Sequence, residues 1–198
     1  MAQKGAKPER RTGPEKGIRS FVAVDLPDSM REEIAKVQKE MDLPGVRLVK
    51  PGLIHVTIKF LGDVPLLKVD RVVEALGGVR RPAFTARVRG AGAFPGRSIR
   101  VVWIGAEGEF EGLFHAVEAA LSPLGFPRER RRFTSHATIA RVARPSPETT
   151  ALLAERLAPF REIDLGEFRV EEFSLKKSTL TPGGPIYEDI GSFPLTSD

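Results

Sequence analysis

Two short segments of this 198-residue chain carry the same pattern, and it narrows the fold more than any other feature of the sequence. In Leu53-Ile54-His55-Val56-Thr57-Ile58-Lys59-Phe60-Leu61-Gly62, polar and apolar residues alternate and the run ends on a glycine. Successive side chains of an extended strand leave on opposite faces, so His55, Thr57 and Lys59 share one face and Ile54, Val56, Ile58 and Phe60 the other. Thr134-Ser135-His136-Ala137-Thr138-Ile139-Ala140-Arg141 places His136 and Thr138 on one face in the same way. A single His-x-Thr would mean little, since threonine suits strands and a half-buried histidine is an ordinary tolerated polar residue. The chain has three histidines, however, and two of them head this pattern 81 positions apart. Such a duplication implies two comparable halves, each with a packed side and a side left for chemistry.

The remaining patterning supplies elements around both motifs. Alternation predicts strands at 18–26, 46–49, 82–90, 99–104, 168–178 and 185–193, the last two around the Thr181-Pro182-Gly183-Gly184-Pro185 turn. Helical spacing predicts helices at 30–41 with Asp28 or Ser29 as N-cap, 64–76, 110–121 and 147–159. Gly62-Asp63 is expected to break the first motif strand, and residues 90–97 read as a loop or bulged connection. Strands joined by turns argue for antiparallel pairing, hence α+β and not a doubly wound sheet.

If the two halves face each other across a cleft, an imidazole and a hydroxyl arrive from each side. Two groups that titrate near neutral pH and two neutral hydrogen-bond donors suit acid–base work on an oxyanion-rich group such as a phosphodiester. One imidazole takes a proton from attacking water, the other gives one to the leaving oxygen, and the hydroxyls donate to non-bridging oxygens. The scheme needs no metal, and neither motif has a carboxylate or second histidine at ligand spacing, which disfavours a metal-dependent phosphatase. His115, on the 110–121 helix, has no titratable partner at such spacing and reads as structural or exposed.

These residues resemble the 2H phosphoesterases, and most closely the RNA 2′,3′-cyclic phosphodiesterases, also called 2′-5′ RNA ligases. The resemblance runs from about Ile18 to Leu195. Besides the motifs it includes Arg19-Ser20-Phe21-Val22-Ala23-Val24-Asp25-Leu26-Pro27, Gly92-Ala93-Phe94-Pro95, Val101-Val102-Trp103-Ile104-Gly105 and Ser178 to Tyr187. It implies two pseudo-symmetric lobes, each a small antiparallel β-sheet backed by helices, with the active-site cleft between them. It also implies His55 and His136 as the acid–base pair, Thr57 and Thr138 on the phosphate oxygens, Arg141 on the phosphate and Phe60 under the terminal nucleobase. The expected reaction is hydrolysis of an RNA-terminal 2′,3′-cyclic phosphate to a 2′-phosphate, with 2′-5′ ligation as a weak reverse reaction.

Strand arithmetic objects to part of this. An odd offset puts Phe60 and Arg141 on the face opposite their histidines, so a bulge or strand end must intervene. The competing reading of Phe60 is core packing. Lys59 lies on the histidine face in this arithmetic and is a candidate for added positive charge near the phosphate.

Composition sets the outer limits. An apolar fraction of 41% with 29% charged residues is that of an ordinary globule. Zero cysteines exclude disulfides and thiolate metal sites. With no long apolar run and no signal-peptide pattern, a cytoplasmic protein away from membranes is expected, acting as a monomer. Of the net charge of +5, +3 falls in residues 1–17, which are polar, rich in Gly and Pro, and read as a disordered basic tail before the bilobal domain of residues 18–198. That tail either adds salt-sensitive RNA affinity or is a solvated extension without a role. Arg128, Arg130, Arg131 and Arg132 precede the second motif as a basic cluster, either a solvated surface or a grip on an RNA backbone, with Arg130 the candidate to reach substrate. The alternative from another class is a non-catalytic module that binds RNA ends, which explains the charge but not the paired histidines.

Overall fold

The computed structural model describes residues 17–94 and 96–197; the basic tail expected at 1–17 lies outside them except for Gly17. Nine strands and four helices follow in the order β1 (Gly17–Asp25), α1 (Asp28–Glu40), β2 (Val46–Leu48), β3 (His55–Pro65), α2 (Leu66–Gly77), β4 (Phe84–Ala93), β5 (Val101–Glu107), α3 (Phe110–Leu121), β6 (His136–Val142), α4 (Pro147–Leu157), β7 (Asp164–Val170), β8 (Glu172–Thr181) and β9 (Gly184–Pro194). The sheet order is β7-β4-β5-β6-β3-β1-β8-β9, antiparallel throughout, with β2 paired to β6 outside that path. The two motif strands therefore lie side by side at the middle. Each ends one four-stranded half, and Val56↔Ala137 is the bridged pair that joins them.

One face of the sheet is packed. Val22, Val24, Val56, Ile58, Val102, Ile104, Ala137 and Ile139 are all buried there against the helices. α1 packs on β6 and β7, whereas α2 and α3 lie against β3, α2 also against β9. α1 follows β1 in sequence yet covers the opposite half, so the two halves are interleaved.

Several boundaries differ from expectation. The first motif strand does not stop at Gly62-Asp63: Gly62 adopts φ +72° and the ladder continues to Gly17↔Pro65. A glycine takes up that left-handed conformation inside the strand with little strain. The strand expected at 168–178 is two strands, β7 and β8, which separate at Glu171 and join opposite halves of the sheet. β4 runs on to Ala93, so residues 91–93 of the expected loop or bulged connection are paired, with a bulge at Gly90. Neither Asp28 nor Ser29 caps α1; Pro27 holds the N-cap position without a side-chain bond.

Candidate active site

Val56 and Ala137 point into the core, so His55, Thr57, His136 and Thr138 leave from the other face. Extending the Val56↔Ala137 register one step each way brings His55 opposite Thr138 and Thr57 opposite His136. The two motifs are thus related by an approximate twofold through that pair.

The same irregularity follows both motifs. Against β1, Ala23 pairs with Thr57 and Val22 with Lys59, leaving Ile58 as an extra residue. Against β5, Trp103 pairs with Thr138 and Val102 with Ala140, leaving Ile139 as the extra one. A bulge resets the facing of everything beyond it. Phe60 and Arg141, five residues after their histidines, consequently return to the histidine face. The second bulge has its own support: the Ile139 carbonyl accepts from Val49 N–H at 2.9 Å and from the buried Gln38 Nε2 at 2.7 Å.

The bulge moves Lys59 the other way. Expected on the histidine face, it is turned to the helix side, buried, and its Nζ meets Glu118 Oε1 at 2.5 Å and donates to the Pro127 carbonyl at 2.8 Å. Its charge is neutralised by that partner, so Lys59 is a packing residue, not a phosphate ligand. Phe60 is 68% exposed, which removes the core-packing reading. Arg130 is exposed beside Phe60, in the groove described below.

Each imidazole is held by its own chain. His55 Nδ1 lies 2.9 Å from the Leu53 carbonyl, and His136 Nδ1 lies 2.7 Å from the Thr134 carbonyl. A carbonyl can only accept, so Nδ1 carries the hydrogen in both rings and Nε2 is the free base. The Thr57 hydroxyl, 3.1 Å from His55 Nε2, donates to it in this tautomer.

Aromatic rings wall both histidines. Phe21 stacks on His55 with centroids 4.9 Å apart, and Tyr187 meets it edge-on at 5.4 Å. Phe94 meets His136 edge-on at 4.8 Å, with Trp103 at 6.5 Å. Burial, which disfavours the charged imidazolium, pushes His55 down from 6.5 to about 4 and lowers His136 in the same direction. The positive charge of Arg141 adds to the lowering of both. Asp25, paired with His55 across β1 and β3, opposes the shift, but its carboxylate is itself held by Lys176 Nζ at 2.7 Å. His115 is exposed on α3, beside Phe114, as expected.

Sequence reasoning did not assign Phe21, Tyr187, Phe94 or Trp103 to the site. All four fall in segments that carry the family resemblance, and Trp103 is the single tryptophan; these were the available signals.

Residues 24–103 and 105–187 match the family described as LigT-like phosphoesterase. The chain belongs to that family. Among LigT-like relatives, the RNA 2′,3′-cyclic phosphodiesterase of Archaeoglobus fulgidus is 42% identical over 180 residues, covering 89% of this chain and 99% of the relative. That of Methanocaldococcus jannaschii is 37% identical over 175 residues, with 87% and 98% covered. Among solved LigT-like folds, TT0787 of Thermus thermophilus superposes with a TM-score of 0.78 at 31% identity, covering 91% of this chain and all of the other. Escherichia coli LigT in complex with 3′-AMP gives 0.73 at 27% identity, covering 91% and 99%.

Proposed function

We propose that this protein hydrolyses the 2′,3′-cyclic phosphate at an RNA end to a 2′-phosphate, with His55 and His136 as its acid–base pair. The observation that carries this is the repeated local geometry: two imidazoles with Nδ1 locked on a carbonyl, each followed by a threonine on the same face and by a bulge. Binding alone has no use for two such unprotonated Nε2 atoms. The names of the relatives and the nucleotide in the complex of the related enzyme agree with this reading.

In the reaction, water attacks phosphorus as one Nε2 takes its proton. The P–O3′ bond breaks, and the other imidazole, as imidazolium, protonates O3′. Both rings favour the neutral form in the free protein. The negative phosphate set between them favours the protonated form of one, so substrate binding itself brings in the acid. Thr57 and Thr138 donate to the non-bridging oxygens, Arg141 offsets the charge, and Phe60 underlies the terminal base. By microscopic reversibility the same groups would join 2′-5′ ends, but abundant water favours hydrolysis.

Both motifs come from one chain, which supports a monomeric enzyme. Among the described residues no helix is long and apolar enough to cross a membrane, and no cluster of three or more His, Cys, Asp or Glu side chains is arranged to hold a metal. A cytoplasmic place of action and metal independence belong to this proposal. The test is incubation with EDTA and an oligoribonucleotide ending in a 2′,3′-cyclic phosphate, followed by identification of the product isomer. A 2′-phosphate is expected. An end that is bound but left intact would replace the enzyme by a binding module.

A further inference from the structure

At Phe60 the histidine face continues into a groove of about 490 Å³ between residues 59–62 of β3 and the segment 126–131. Phe60 and Phe126 line it, together with Arg128, Arg130 and Arg131. It is continuous with the site, because Phe60 packs on Phe21 at 6.1 Å and Phe21 stacks on His55. The backbone of the arginine segment is fastened from below. Glu118, on α3, takes Lys59 Nζ and the Glu129 N–H on the same Oε1, at 2.5 and 2.8 Å, while Lys59 also holds the Pro127 carbonyl. The Glu129 carboxylate then accepts the N–H groups of Arg130 and Arg131 at 3.0 and 3.3 Å.

The arginine side chains make no close ion pair of the kind that other arginines of the chain make, although Arg128 acts at longer range on Glu118. Arg87 is paired with Asp164 and Glu167, and Arg89 with Glu107 and Glu162. Among the described residues no ion pair engages Arg128, Arg130 or Arg131, and all three are exposed. A fastened segment that presents three exposed guanidinium groups beside the exposed ring of Phe60, with the half-buried Phe126 behind it, is the arrangement that holds single-stranded nucleic acid, phosphates on the cations and a base on the ring. A lone phosphate ion would fill only one of these positions, and a paired duplex could not lay a base on Phe60. We infer that this groove binds the sugar–phosphate backbone of the nucleotides immediately upstream of the reacting end, so that a strand is turned over more efficiently than a cyclic mononucleotide. This rests on the reaction proposed above. Lys59 and Glu118 act in it as positioning residues.

The test compares kcat/KM for a tetranucleotide ending in a 2′,3′-cyclic phosphate with that for adenosine 2′,3′-cyclic phosphate. The oligonucleotide-to-mononucleotide ratio is expected to exceed one in the wild type and to fall on the order of tenfold in Arg128→Gln/Arg131→Gln. The salt dependence of the oligonucleotide reaction would flatten by about 0.7 in log–log slope per lost phosphate contact. Arg128→Lys/Arg131→Lys, which keeps the charges, should retain most of the ratio. An unchanged ratio in the glutamine variant, or equal loss on both substrates, would overturn the groove. If the wild type turns over neither substrate, the reaction proposal fails by itself. Fluorescence anisotropy with the tetranucleotide carrying a 2′-phosphate then decides: weaker binding by the glutamine variant supports the groove, and equal binding removes it.

Discussion

Val56 of β3 and Ala137 of β6 are bridged to each other, and among the described residues they form the one such pair between the two motif strands. A single bridge holds the centres of the motifs together and leaves the strands free to diverge on either side. What each half presents is then set by its own ladder, β1 against β3 and β5 against β6. Because a bulge of the same kind occupies both ladders, the two halves offer equivalent sets: histidine, threonine, and a third residue that differs, Phe60 in one and Arg141 in the other. Under the proposed function, chemical identity where protons are transferred and divergence where base and phosphate are held both follow from this pairing.

Replacing either histidine should remove acid–base assistance while leaving the fold intact, since both side chains sit on the open face. His55→Ala and His136→Ala are each expected to lower kcat on the cyclic-phosphate oligonucleotide on the order of 10²–10⁴-fold. Steady-state kinetics on the two variants check this, and losses below tenfold in both would end the two-histidine mechanism.

The depressed imidazoles fix the direction of two pH effects. A group whose folded pKa lies below its unfolded value binds more protons when unfolded, so stability is lost as pH falls between the two values. For His55 that window runs from 6.5 down to about 4, and the loss is at most about 3 kcal/mol. Urea denaturation from pH 7 to pH 4 should show it, with a shallower decline in His55→Gln. The proposed mechanism needs one neutral and one charged ring. With both pKa values below the usual imidazole range, the bell of kcat/KM should have its maximum on the acid side of pH 6.5. A plateau extending through pH 8 would contradict the geometry.

Lys59 and Glu118 are a buried pair, both side chains 7% exposed. Removing one partner strands the other in the core, and Lys59→Met is expected to cost about 3–5 kcal/mol. The double change Lys59→Met/Glu118→Leu should recover most of that, because two apolar groups replace two charges. Recovery of urea stability without recovery of preference for the oligonucleotide would separate the packing role of the pair from its hold on the arginine segment.

Much of this site could be read in advance. The duplicated His-x-Thr, the α+β class and the helix at Phe110–Leu121 are local features, and local periodicity reported them. The bulges at Ile58 and Ile139 are not local. Strict alternation describes an uninterrupted ladder, and nothing in the β3 sequence says that β1 will skip a residue against it. Lys59 was misplaced for this reason, whereas Phe60 and Arg141 needed the same bulge to reach the face that the resemblance gave them. The division at Glu171 is similar: one alternating run feeds two strands because each finds a partner in a different half. The aromatic walls come from three strands, β1, β5 and β9, and from Phe94 just after β4, and no spacing along the chain predicts that they converge.

Gly92 and Trp103 offer a last test, of the wall beside His136. The two residues pair across β4 and β5, and a Cβ on Gly92 would lie 2.6 Å from the indole ring. Trp103 also pairs with Thr138 on its other side, and its ring lies 6.5 Å from that of His136. Gly92→Ala should therefore force the indole outward, at a cost of about 1–3 kcal/mol from overpacking. As Trp103 is the single tryptophan, intrinsic fluorescence reports this position alone, and its emission should move to the red as the ring meets water. A fall in kcat/KM should accompany the shift, because the displaced ring leaves His136 more hydrated and raises its pKa toward the ordinary value. Unchanged emission and stability would mean that the sheet yields at Gly92 instead, and that the wall is softer than the packing indicates.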